Sequence, residues 1–177
     1  MRLKQLSEII LNIFVLAAVA FLLYVNIAHY IYGQVVLAVV KGRSMYPLFS
    51  DNDMVIVLPS KDIGLGDIVV YRNGRGEYVI HRVIAIASCK EGYTVYITKG
   101  DYNPYIDTGF SSLIAFGIDR RCTINKIDVL KGYERYVMRE IVNGNVIKGI
   151  PEEVIMGKIP SFFGIAMKIS GLTRIGA

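Results

Sequence analysis

The sequence predicts a mainly β domain carried behind one N-terminal apolar helix. Three observations predict it. No Asp, Glu, Lys or Arg occurs from Ile9 to Val40. After Lys41 the pattern changes to short runs rich in Val, Ile and Tyr, broken by Gly, Asn and Pro. No long segment beyond that point shows a clean 3.6-residue apolar period. The expected boundaries are a tail over 1–8, an anchor over 9–32 and a β-rich domain over 33–177.

Residues 9–32, IILNIFVLAAVAFLLYVNIAHYIY, are the anchor. A spanning helix needs about 20 apolar residues, so this run is long enough to cross with some tilt. Asn12, Asn26 and His29 lie near its ends, where polar groups reach the interface. Tyr24, Tyr30 and Tyr32 would form an aromatic belt. A cleaved signal peptide is the rival reading. The run exceeds the usual apolar region of such peptides and no A-x-A-like site follows it, so an uncleaved anchor is expected. Arg2 and Lys4 before the run nearly balance Lys41 and Arg43 after it, which gives only a lean toward an inside N-terminus.

The expected strands follow in order. DMVIVL, 53–58, stops at Pro59. GDIVVYR, 66–72, enters a turn marked by Asn73-Gly74, and YVIHRVIAIA, 78–87, returns from it. EGYTVYITKG, RRCTINKIDVL, YVMREIVNGNVIKGI with Asn143-Gly144, and EEVIMGKIP complete the set. The closing IPSFFGIAMKISGL is too short to span a bilayer. It reads as a strand plus a short helix or as an interfacial segment, with Phe162 and Phe163 in the core or at lipid.

Composition excludes some functions. The chain has 177 residues, 53% of them hydrophobic, and net charge +5. Its Lys and Arg are scattered rather than clustered, which disfavours nucleic acid as a partner. Cys89 and Cys122 form no CxxC and no Cys/His cluster, so neither a metal nor any cofactor is expected. The two could form one disulfide outside the cytoplasm or remain buried thiols; spacing does not decide.

Four positions carry chemistry. Ser44 stands at the entry of the domain in GRSMYPLFSDND, where Met45 and Pro47 suggest a shaped turn. His81 is the domain's one histidine, and Asp101 and Asp107 lie in TKGDYNPYID. Ser, His and Asp are the parts of an acyl-transfer site. A serine hydroxyl attacks once a base takes its proton. A neutral imidazole does so near pH 7, and a carboxylate on its other nitrogen fixes the tautomer. On residue type alone, His81 among Val79, Ile80, Val83 and Ile84 also suits a packed strand, and Asp101 after Gly100 suits a turn.

The spacing of short boxes adds a resemblance. S44-M45-Y46-P47 resembles the S-M-x-P box of type I signal peptidases. G66-D67-I68-V69-V70-Y71 resembles their next box. I80-H81-R82-V83 matches the position that carries Lys in bacterial members and His in the archaeal and endoplasmic-reticulum branch. K99-G100-D101-Y102-N103, followed by D107, resembles the K-G-D-x-N…D box of that second branch, and MGKIP, 156–160, its closing G-x-I-P. The resemblance implies a signal-peptidase-like β catalytic domain and a Ser/His/Asp serine endopeptidase in the cell membrane. It implies one membrane pass, with the domain on the extracytoplasmic side. Preproteins with signal peptides are the implied substrates, and the lipid bilayer and the export machinery the implied partners. Ser44 would be the nucleophile, His81 the general base and Asp107 the orienting carboxylate. Asp101 would be a second carboxylate, serving the site or its turn. One departure is Gly42, where many members carry a Ser that donates to the oxyanion. The rivals are a membrane-anchored β module that binds peptides without catalysis, and a protease dedicated to a few surface proteins.

Overall fold

The computed structural model describes residues 3–32, 35–73, 76–107, 121–141, 144–162 and 165–170. Gly74, Asn143 and Phe163, and the side chains of His29, Tyr32 and Phe162, lie outside that description. The chain forms two units, Met1–Val36 and Leu37–Ala177.

The first unit is one helix, α1, Leu3–Tyr32. It starts within the stretch expected as a tail, because Leu3, Leu6, Ile9 and Ile10 continue the apolar run backwards past Lys4 and Glu8. Lys4–Ile27 is long and apolar enough, by length and composition, to cross a membrane. Its 24 residues rise about 36 Å, against a hydrocarbon core of about 30 Å.

The second unit is built on antiparallel pairing. Its strands are β1 (Leu37–Val39), β2 (Met54–Ile56), β3 (Ile68–Arg72), β4 (Tyr78–Cys89), β5 (Thr94–Lys99) and β6 (Arg121–Val129). After α2 (Glu134–Glu140) come β7 (Val146–Lys148), β8 (Ile150–Pro151), β9 (Ile155–Ile159), β10 (Ser161–Phe162), β11 (Ile165–Ala166) and β12 (Lys168–Ile169). The main sheet runs β7-β6-β4-β3-β9, with β5 pairing both β4 and β8. Its spine is β4, whose 12 residues pair with β3 over the first half and with β5 and β6 over the second. A smaller sheet, β1-β2-β12, and the hairpin β10-β11 complete the unit.

The residues explain the layering. Along β4, His81 and Val83 are buried before a register shift against β5 at Val83/Ala85, and Ile84, Ala85, Ala87 and Cys89 are buried from there on. β5 is buried along almost its whole length, its polar Thr98 and Lys99 included. Ile84, Ile97, Ile124, Val137 and Ile147 meet in one core cluster; Val69, Tyr71, Val83, Tyr96 and Ile150 meet in another. Cys89 and Cys122 are joined in a disulfide between β4 and β6.

Two local expectations change. The run expected as strand from Tyr136 opens in α2, and only its second half extends, as β7 and β8. Glu134 lies in the first turn of α2 and Arg139 in the last, matching the helix dipole, and Val137 packs into the core. The C-terminal stretch forms three two-residue strands, with no helix among the described residues.

Candidate active site

The Ser44 turn is fixed from three directions. From inside, Met45 and Phe49 are 1% and 0% exposed, and the Phe49 N–H donates to the Met45 carbonyl. From below, Asp53 ties the turn off. Its carboxylate accepts from the Ser50 N–H at 2.9 Å and from Lys168 of β12 at 3.1 Å, and Lys168 also donates to the Leu48 carbonyl. From the side, the Tyr102 N–H donates to the Ser44 carbonyl at 2.9 Å, and the Tyr46 and Tyr102 rings meet edge to face. The Tyr46–Pro47 bond is cis. Ser44 itself stays half-buried.

His81 enters from β4 and is 6% exposed. Its Nδ1 lies 2.7 Å from Oδ2 of Asp107. The same oxygen accepts a hydrogen bond from the Thr98 hydroxyl of β5. The Tyr71 ring of β3 stands edge-on to the imidazole, 6.4 Å between centroids. Burial pushes the Tyr71 phenol well above its ordinary range, and the Asp107 charge pushes it further, so it stays protonated beside that carboxylate.

The other ring nitrogen of His81 faces the Ser44 turn. A Cβ at Gly100 would lie 2.9 Å from Nε2 of His81 and 2.6 Å from the Ser44 carbonyl oxygen. Both groups therefore crowd the same point on Gly100, which only a residue without a side chain leaves free. Asn103 Nδ2 crowds it as well, at 2.9 Å.

Asp101 does a different job. Its two carboxylate oxygens accept from Nε and Nη2 of Arg82 at 2.8 and 2.7 Å, and Nη1 of Arg82 donates to the Gly66 carbonyl. The fork holds Arg82 in its charged form, first through the Asp101 hydrogen bonds, against the opposing effect of burial. Asp101 thus links the residue after His81 to the turn before β3, with no hydrogen bond to the imidazole among those described. Gly42 has φ +87°, and its N–H is held by Asp51 at 2.8 Å.

The boxes also join one another. Asp67 accepts from Lys158 of β9 at 2.9 Å. A Cβ at Gly157 would meet the Leu58 carbonyl at 2.5 Å, so the strands close only over glycine there. Of the residues singled out in the sequence, Ser44, His81, Asp101 and Asp107 are gathered in this one region. Arg82, Thr98, Tyr71 and Gly100 were not anticipated.

Residues 19–95 match the family model described as Peptidase S24-like. That range includes Ser44 and His81 and ends before Asp101 and Asp107. The signal peptidase complex catalytic subunits SEC11C of Homo sapiens and Mus musculus are 29% identical to the chain over 109 residues. Each alignment covers 60% of this chain and 57% of the relative. The signal peptidase complex catalytic subunit SEC11 of Plasmodium falciparum (isolate 3D7) is 33% identical over 72 residues, 40% of this chain and 39% of that protein. The chain therefore spans little more than half the length of the SEC11C relatives it matches. Both comparisons support the resemblance read from the boxes: the chain carries a region similar to S24-like peptidases and to SEC11-type signal peptidase catalytic subunits.

Proposed function

We propose that the chain is a membrane-anchored serine endopeptidase that removes signal peptides from exported preproteins. The observation that carries this reading is the setting of one imidazole. Nδ1 of His81 is held by Asp107, and Nε2 is turned toward the Ser44 segment across Gly100. In this reading His81 Nε2 takes the Ser44 hydroxyl proton as Oγ attacks the scissile carbonyl. Asp107 holds the ring in the required tautomer and stabilises the imidazolium, while Tyr71 and Thr98 fix Asp107. The oxyanion meets the backbone N–H of Ser44. The Gly42 N–H serves Asp51, and Gly42 has no side-chain donor to add. His81 then returns its proton to the leaving amine. Water hydrolyses the Ser44 ester with the same base, releasing the second product and restoring the hydroxyl. Asp101 supports the site by locking Arg82.

The similarity to SEC11-type subunits supports signal peptides as the substrate. The apolar α1 supports a single membrane span; in this reading the membrane is the cell membrane, the β unit stands on the extracytoplasmic side and the export machinery supplies the preproteins. The test is cleavage of a purified preprotein in detergent or liposomes by wild type and Ser44→Ala side by side. Wild type should release the signal peptide. Ser44→Ala should stay folded and membrane-bound and release none; turnover near the wild-type level would remove Ser44 as nucleophile.

A further inference from the structure

Lys99 is a buried cation with no part in the chemistry described so far. It is 4% exposed, at the last position of β5. A buried ammonium is costly unless other groups replace its water. Here its Nζ donates to the Gly100 carbonyl at 2.9 Å and lies 3.4 Å from the Asp101 carbonyl. The rings of Tyr133 and Tyr136, before and within α2, stand 5.8 and 5.2 Å from it, in cation–π range. Burial lowers the tendency of Lys99 to hold its proton, while the Asp101 and Asp107 carboxylates oppose that effect.

The peptide that Lys99 grips is the one between nucleophile and base. The Gly100 carbonyl is bound to Nζ, and a Cβ on Gly100 would meet the Ser44 carbonyl and His81 Nε2. A shift of Gly100 would therefore change the gap between those two groups. The attraction of Asp107, the carboxylate at His81 Nδ1, favours the charged form of Lys99.

We propose that Lys99, caged by Tyr133 and Tyr136, is a positioning residue for Ser44 and His81, fixing the Gly100 peptide between them. This rests on the reading of Ser44, His81 and Asp107 as a catalytic triad. The charged and titratable groups facing Lys99 are Asp101, Asp107, Tyr133 and Tyr136. Those facing His81 are Asp107 and Tyr71, while Arg82 is turned to Asp101.

The test measures kcat and KM against pH for the full chain in detergent, with a purified preprotein, for wild type, Lys99→Met, Tyr136→Leu and Ser44→Ala. Lys99→Met should lower kcat about tenfold or more, since small misplacements of reacting groups are costly. KM should stay within about twofold, because the substrate is not touched. Tyr136→Leu, at a partly exposed ring, should give a smaller change in the same direction and decides the matter if Lys99→Met does not fold. An active Ser44→Ala would overturn the triad and the proposal with it. An inactive Ser44→Ala with wild-type kcat in the folded Lys99→Met and Tyr136→Leu variants, or a loss carried by KM rather than kcat, would overturn the proposal alone.

Discussion

His81 Nδ1 and Asp107 Oδ2 lie 2.7 Å apart, although 26 residues separate them in sequence. The β4–β5 pairing brings them together: Val83 pairs with Thr98, and Thr98 donates to the same carboxylate oxygen. Asp101, six residues nearer in sequence, is instead forked to Arg82.

The two carboxylates should therefore fail differently. Asp107→Asn replaces an acceptor for the Nδ1 proton with an amide that cannot stabilise the imidazolium. It should lower kcat/KM by about 10³–10⁴-fold with little change in melting temperature. Asp101→Asn should leave activity measurable and lose stability by about 1–3 kcal/mol, since it unpairs a half-buried guanidinium. Cleavage kinetics and thermal melts of both variants check this; the reverse order of effects would contradict the assignment.

Gly100→Ala should cost both stability and rate. Two of the atoms its Cβ would meet sit in the proposed machinery, and the nearest, the Ser44 carbonyl oxygen at 2.6 Å, is backbone. Overpacking of this kind costs about 1–3 kcal/mol. The displaced Ser44 turn should lower kcat by at least about tenfold. A variant with wild-type melting and wild-type kcat would show that the approach is looser than described.

Much of this was legible in the sequence. The Val- and Ile-rich run YVIHRVIAIA, after the Asn73-Gly74 turn signal, marks β4 and carries His81. Met45 and Pro47 mark the Ser44 turn. Less was legible where the deciding partner is distant. Gly100 reads as a turn glycine, yet its constraint is the space between two other segments. Arg82 and Asp101 find each other only through the β4–β5 register. α2 has too few turns to show a helical period, and Tyr136, Val137 and Ile141 have strand character. The joining of Cys89 to Cys122 depends on β4 lying beside β6, which spacing does not encode.

The disulfide should stabilise the segment that carries the site. Its two cysteines are 33 residues apart, and β5, Asp101 and Asp107 lie between them. By loop entropy the bond contributes about 3–4 kcal/mol. Denaturant unfolding of the Cys89→Ala/Cys122→Ala variant should show a loss of that order, and reductant should change wild type but not the variant. An equal midpoint for both proteins without reductant would contradict this.

Asp53 should make the Ser44 turn acid-sensitive. Burial raises its carboxyl, but the Ser50 N–H, Ser170 and Lys168 outweigh that and hold it below the usual carboxylate range. A carboxyl with a lowered folded-state pKa stabilises above its unfolded value of about 4 and loses that contribution as pH falls further. Asp53→Asn should therefore melt below wild type at pH 7, with the gap narrowing toward pH 3. Melts across that range check it; a constant gap would mean the charge is not what matters.

The most direct test of the central claim, that His81 is the base for Ser44, is the pH dependence of kcat/KM for wild type and His81→Ala. A base must be neutral to accept the hydroxyl proton, so wild-type activity should rise with pH as the imidazole loses its proton. His81→Ala should be nearly inactive throughout while remaining folded. A wild-type profile flat from about pH 5 to 8, or an active His81→Ala, would contradict it.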